Sequence, residues 1–210
     1  MFSLSEIESQ CKKATRGAGL SWGIAEEAGI LARNLCEVGL PGPDAIYKNL
    51  KCFDDSEVTC VKSSTDMLVI NGRPLSGLLV GIFVVDRLYL AEKGRSWSLG
   101  TVVGPLAIVG ILLRLTETNY SFFLEWENCK VQLTNTGFKI SGRNTNPQKV
   151  EEISIHIKKS EQISKVHFFE TCIVSDFVWA ELSRMAERTY VTASETSRVR
   201  GAGAGILDYD

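Results

Sequence analysis

Residues 121–142 read SFFLEWENCKVQLTNTGFKISG, and this stretch decides the fold. Apolar and polar residues alternate along it, as they do in strands whose successive side chains point to opposite faces of a sheet. The alternating apolar positions are Phe122, Leu124, Trp126, Cys129, Val131, Leu133, Phe138 and Ile140. A turn at Asn135-Thr136-Gly137 separates two of these segments, and residues 153–157 repeat the alternation. The pattern therefore predicts an antiparallel meander in the centre of the chain.

The sequence that precedes the meander predicts several helices. Ser3 and Glu6 have the spacing of a capping box, and Ser21 is a candidate N-cap for a second helix. Gly39 to Pro43 ends that helix, and Asp44 is the predicted cap of a short third helix. Residues 75–85 are apolar without a clear period, so helix and strand both remain open there, whereas residues 104–115 predict a buried helix.

After the meander, residues 166–174 predict another strand. Ser175 and Asp176 then begin a predicted helix that ends near Arg188, and a polar, glycine-rich tail follows. Helices, then strands, then a helix indicate the α+β class: an N-terminal helical unit, a central, largely antiparallel sheet, a C-terminal helix and a glycine-rich tail. We expect a single domain over residues 1–210. Its parts are a helical unit at 1–52, a mixed core at 60–191 and the tail at 192–210.

Composition narrows the class of protein. The formal net charge of −2 argues against a nucleic-acid partner, since such proteins are usually basic. Residues 96–113 carry no charge, but their glycines and Pro105 favour a buried loop and helix over a membrane span. The six cysteines form no Cys-x-x-Cys pair and no metal-ligand cluster, and the N-terminus lacks signal-peptide features. We expect free thiols in a cytoplasmic protein without a metal or cofactor.

Two Arg-Gly segments are the sharpest functional hint. Arg16-Gly17-Ala18-Gly19 lies near the start and Arg200-Gly201-Ala202-Gly203 near the end. Backbone N–H groups of glycine-rich turns and a leading guanidinium can together bind an anion. The first segment also precedes the predicted N-terminus of the second helix, where a helix favours negative charge. No Gly-x-Ser-x-Gly, P-loop or dinucleotide-binding pattern occurs in the chain.

Candidate site residues cluster at these two segments. Glu26, Glu27 and Glu195 are candidate general bases, although first-turn carboxylates of a helix are commonly just solvated. Arg33 lies seven residues beyond Glu26, on nearly the same helix face. The candidate ligand-binding residues are Arg16, Gly17, Gly19, Trp22, Arg33, Ser194, Ser197, Arg198, Arg200, Gly201 and Gly203. For the residues of the C-terminal Arg-Gly segment, the alternative to a binding role is a flexible chain end.

The same segments carry a resemblance. Residues 13–28, KATRGAGLSWGIAEEA, and residues 190–205, YVTASETSRVRGAGAG, resemble the two ends of a bacterial family of uncharacterised proteins, a domain of unknown function. The resemblance implies no activity, cofactor or partner.

Three functions stay open. One is an enzyme acting on a small anionic metabolite, a carboxylate or phosphate, through the paired Arg-Gly segments. Another is a non-catalytic binding or accessory subunit whose C-terminal tail contacts a partner chain, for example in a homodimer. The third is an interaction protein that uses the edge of the meander.

Overall fold

A computed structural model describes residues 1–54, 74–88, 96–115, 120–134, 137–159 and 169–190. The described helices are α1 (Leu4–Gly17), α2 (Trp22–Glu37), α3 (Gly42–Asp54), α4 (Gly77–Asp86), α5 (Leu106–Leu113) and α6 (Asp176–Glu187). The described strands are β1 (Phe2–Ser3), β2 (Leu75–Ser76), β3 (Ser96–Leu99), β4 (Val102–Val103), β5 (Tyr120–Trp126), β6 (Cys129–Thr134), β7 (Gly137–Gly142), β8 (Lys149–Val150), β9 (Ile153–Lys159) and β10 (Thr171–Cys172). The predicted α+β class is confirmed.

The first two helices begin where their caps predict. Ser3 accepts a hydrogen bond from the Glu6 backbone N–H while the Glu6 carboxylate accepts one from the Ser3 N–H, which completes the capping box of α1. Ser21 caps α2 through the Ile24 N–H. The third helix begins at Gly42, two residues before the Asp44 that the sequence suggested as its cap. Pro43 is tolerated there because a first-turn N–H lacks an intrahelical partner anyway.

The meander is confirmed and extended. Strands β5, β6 and β7 pair in succession, β9 pairs with the other edge of β5, and β3 pairs with β9, all antiparallel. A second sheet has the order β2-β4-β8, with a parallel β2–β4 pair, and the third joins β1 to β10. The sequence placed a strand at residues 166–174. Within the described part of that range, the strand is limited to Thr171 and Cys172.

Two apolar helices complete the core. Every residue of α5 is buried, as expected for 104–115, and the undecided stretch at 75–85 forms α4. Helix α5 packs against both α2 and α4. Close approach depends on glycine: a Cβ on Gly110 would lie 2.9 Å from the Leu31 carbonyl oxygen of α2.

The cysteines of the described regions are free thiols in the core, as the sequence predicts. They are Cys11, Cys36, Cys52, Cys129 and Cys172, while Cys60 lies outside the described residues. Burial raises the pKa of the Cys11 thiol, and it raises that of Cys129 to about 11. A thiol of this kind behaves as a small apolar side chain.

Candidate anion site at the α1–α2 corner

The first Arg-Gly segment forms the corner between α1 and α2. Gly19 has a φ of +92°, a left-handed conformation that glycine adopts readily and that turns the chain towards Ser21. Arg16 closes the corner, since its Nη1 donates a hydrogen bond to the Leu20 carbonyl oxygen at 2.9 Å. One of its five N–H donors is used in this bond. Among the described residues, no further acceptor for this guanidinium is found.

Trp22 gives this corner an exposed aromatic surface. Trp22 is the first residue of α2, and its side chain is 54% exposed, whereas the opposite face of this helix is buried. The Arg16 guanidinium carbon lies 5.4 Å from the ring centroid and the Lys12 Nζ lies 5.9 Å from it. Both distances are within the range of cation–π attraction. Two cations are therefore held beside the N-terminus of α2, where the helix dipole favours an anion.

The two described carboxylates that the sequence offered as bases are in ion pairs. The Glu26 Oε1 lies 2.8 Å from the Lys12 Nζ, which ties α2 to α1. Glu27 pairs with Arg114 at the end of α5. Both pairs join helices that contact each other in the fold. A general base needs a free carboxylate close to the substrate proton, and these contacts compete with that role.

Arg33 lies away from the Arg16 corner contacts. Its guanidinium pairs with Glu37 at 2.9 Å and with Glu8 at 3.3 Å, and Glu26 is paired with Lys12 instead. The hydrogen bonds to Glu37 and Glu8 raise the pKa of Arg33. Although Glu26 and Arg33 lie on nearly the same helix face, each is paired with other side chains.

The two glycines of the corner have different surroundings. A Cβ on Gly17 would lie 1.8 Å from the Met185 carbonyl oxygen, so this glycine allows α1 to contact α6 closely. Around Gly19, a Cβ would meet no atom of the described residues within 4 Å. The space beside Gly19 is therefore open in the described part of the chain, whereas the space at Gly17 is filled by α6.

Residues 2–73 match the model of a family described as "Protein of unknown function (DUF3726)". The match contains residues 13–28, so the resemblance to an uncharacterised family is confirmed for the N-terminal segment. It covers the whole α1–α2 corner and assigns it no activity. No curated protein matches the chain.

The C-terminal half of the predicted site lies outside the described residues. These residues are Ser194, Glu195, Ser197, Arg198, Arg200, Gly201 and Gly203. The last described residue, Tyr190, is nevertheless close to the corner helix, because the Lys13 Nζ lies 5.7 Å from its ring centroid. The described chain therefore ends beside α1, the helix that carries Arg16.

Sequence reasoning missed three residues at this site: Lys12, Lys13 and Tyr190. A signal was present, since Lys12, Lys13 and Arg16 are three and four residues apart and adjacent on a helix surface. Their contacts with Trp22 and Tyr190 could not be predicted from the sequence, because they depend on how α1 packs against α2 and α6.

In the described regions, no helix is long and apolar enough to cross a bilayer.

Proposed function

We propose that the protein binds a small anion, a carboxylate or a phosphate, at the α1–α2 corner, and that it is a binding or accessory subunit without chemistry of its own. The observation that carries the proposal is the position of the Arg16 guanidinium beside the exposed Trp22 ring at the N-terminus of α2. Lys12 lies near the same ring, but its charge is neutralised by Glu26. A guanidinium and first-turn N–H groups are the donors that carboxylates and phosphates require.

The catalytic reading has less support. Glu26 and Glu27 already neutralise Lys12 and Arg114, and using either as a base would disrupt a contact between helices. The third carboxylate, Glu195, belongs to the tail. We place the protein in the cytoplasm, because five buried free thiols suit a reducing compartment.

Titration calorimetry with inorganic phosphate and with succinate tests the proposal. The informative variant is Arg16→Gln, which keeps a side-chain amide able to reach the Leu20 carbonyl but removes the charge. We expect about tenfold weaker binding, the loss of one charge-assisted contact. Arg184→Gln is the matched control, since Arg184 is a paired arginine on the surface of α6. Equal affinities for the wild type and Arg16→Gln, or no binding of either anion, would contradict the proposal.

A spectroscopic measurement locates the ligand. Trp22 is 54% exposed, while Trp97 and Trp126 are buried at 6% and 1% exposure, so acrylamide quenches mainly Trp22 among these three. Bound anion should protect that fluorescence, and Trp22→Phe should remove the protected component.

Arg200→Ala separates the two roles of the tail. Weaker anion binding with an unchanged molecular mass in sedimentation supports a site shared by both Arg-Gly segments. A change in oligomeric state with unchanged affinity supports instead a tail that contacts a partner chain, as in a homodimer.

A further inference from the structure

The exposed face of the five-stranded sheet carries a continuous row of side chains. Cross-strand pairing places one residue of each strand in this row, which we call the sheet row. In spatial order it comprises Ser96, His156, Phe123, Gln132 and Lys139. The opposite face of the same strands holds the buried core, so the sheet row is the polar face of the meander.

A groove of about 230 Å³ runs along this face at the sheet row. Phe123 and Gln132 lie in its middle, with His156 and Lys139 on either side. The neighbouring row closes one side with the ion pair between Lys130 and Glu125, 3.0 Å apart. Pockets for drug-sized ligands commonly enclose about 300–1,000 Å³, so this groove suits a smaller ligand, the size of a single ring.

Three polar groups in the groove have no hydrogen-bond partner within the described part of the chain: the Gln132 amide, the Lys139 ammonium and the His156 Nε2. The His156 Nδ1 is engaged, because it lies 2.7 Å from the Ser96 hydroxyl. When that hydroxyl donates to Nδ1, the proton of the neutral ring is on Nε2, which is then a donor. Two or three donors thus face a ligand in the groove.

Phe123 supplies the apolar surface between these donors. Its ring is half-buried, and the Lys158 Nζ lies 5.2 Å from the ring centroid. Lysines therefore outnumber carboxylates around the ring: Lys158, Lys139 and Lys130 against Glu125. An aromatic ring can stack on Phe123, and an acidic substituent on that ring meets the surrounding cations.

We propose that the sheet-row groove is a second binding site, which takes a single planar ring bearing a carboxylate or a phosphate. The aromatic ring of Phe123 packs against the ligand ring. Lys139 and Gln132, which lie on one side of Phe123, contact its acidic group, while His156 borders the ring on the other side. This site is built from β5, β6, β7 and β9 and uses no residue of the α1–α2 corner.

The test is calorimetry with four probes: benzoate, phenyl phosphate, cyclohexanecarboxylate and benzyl alcohol. We expect benzoate or phenyl phosphate to bind, with cyclohexanecarboxylate and benzyl alcohol at least about fivefold weaker because each lacks either the planar ring or the charge. The aromatic acid that binds more tightly identifies the acidic group. Amide chemical shifts of the wild-type protein should change at Gln132 and Lys139, a readout that needs no variant.

Two substitutions assign the contacts. Lys139→Gln should weaken binding about fivefold, while Lys149→Gln, an exposed lysine paired with Glu151 outside the groove, should leave it unchanged. Phe123→Leu keeps apolar volume and should remove the preference for aromatic probes. Absence of binding at about 10 mM, equal affinity for cyclohexanecarboxylate, or an unchanged Lys139→Gln variant would each overturn the proposal. Arg16→Gln should not alter this binding, so the two sites fail or succeed independently.

Discussion

Asn49 is the residue on which the centre of the molecule depends. Its side chain is fully buried and uses both ends: Nδ2 donates to the carbonyl oxygens of Ala45 and Gly104, and Oδ1 accepts from the Ser76 hydroxyl and the Leu78 N–H. The last bond satisfies a first-turn N–H of α4, because the hydroxyl of its N-cap residue, Ser76, donates to Asn49 and accepts no bond from the helix. One amide on α3 therefore caps α4 and holds the turn that precedes α5.

We expect Asn49→Ala to lower the free energy of unfolding by about 2–4 kcal/mol, because it leaves a buried N–H and hydroxyl without their acceptor and opens a cavity. Urea denaturation followed by circular dichroism measures this change. Asn34→Ala is the control: Asn34 is partly buried and makes one bond, to the Gly110 carbonyl oxygen at 3.1 Å, so a loss of about 1 kcal/mol is expected. Equal losses in the two variants would contradict the role assigned to Asn49.

At the scale of elements, the contact between α1 and α6 rests on Gly17. The Met185 carbonyl oxygen of α6 occupies the space that a side chain at this position would need. Gly17 is thus a packing residue of the corner. Gly23, in the first turn of α2, has no such neighbour within 4 Å of an added Cβ.

The two glycines should therefore respond in opposite directions to the same substitution. Gly17→Ala forces α1 and α6 apart and should reduce stability by about 2–3 kcal/mol. Gly23→Ala adds helix propensity without a clash and should raise stability by about 0.5 kcal/mol. Thermal unfolding of both variants beside the wild type measures the difference. A neutral Gly17→Ala would show that the α1–α6 contact is looser than the structure indicates.

Elements with local signals were predictable from the sequence, and those without were not. The Ser3–Glu6 box and the alternation at residues 122–140 depend on neighbours in the chain, so α1 and the meander could be located. Helix α4 could not, because its residues are apolar all round and show neither helical nor strand period. The candidate site shares this limit: Glu27 pairs with Arg114, 87 residues away, and no local pattern indicates such a partner.

At the scale of the whole molecule, the N-terminal helices are joined to the last described helix. Strand β1 pairs with β10, α1 packs on α6, and Arg188 joins Asp54 through two hydrogen bonds of 2.7 and 2.9 Å. These contacts bring the end of α6 beside the helical unit that contains Arg16. The family match at residues 2–73 includes α1 and α3, and α6 packs against both of these helices.

The Asp54–Arg188 pair predicts how this closure depends on pH. The hydrogen bond from Arg188 lowers the pKa of Asp54 below its usual value. A lowered pKa in the folded state means that the stabilisation is fully present above the unfolded-state pKa, about 3.9, and is lost as the pH falls through the folded-state pKa. Both side chains are about one-third exposed, 36% and 31%, so solvent screening limits the contribution to about 0.5–1 kcal/mol.

We therefore expect Asp54→Asn to lower the free energy of unfolding by about 0.5–1 kcal/mol at pH 7. Well below pH 4 the variant should be as stable as the wild type, because protonation of Asp54 removes the same charge. Urea denaturation across this pH range measures both limits. Asp86→Asn is the matched control, since Asp86 also ends a helix but is exposed and makes no ion pair to any described residue. Both substitutions remove a negative charge from the C-terminal end of a helix, where the helix dipole disfavours it. Only Asp54→Asn also removes an ion pair, so only this variant should show a loss of stability that disappears in acid. A loss that persists in acid would instead assign the role of Asp54 to packing.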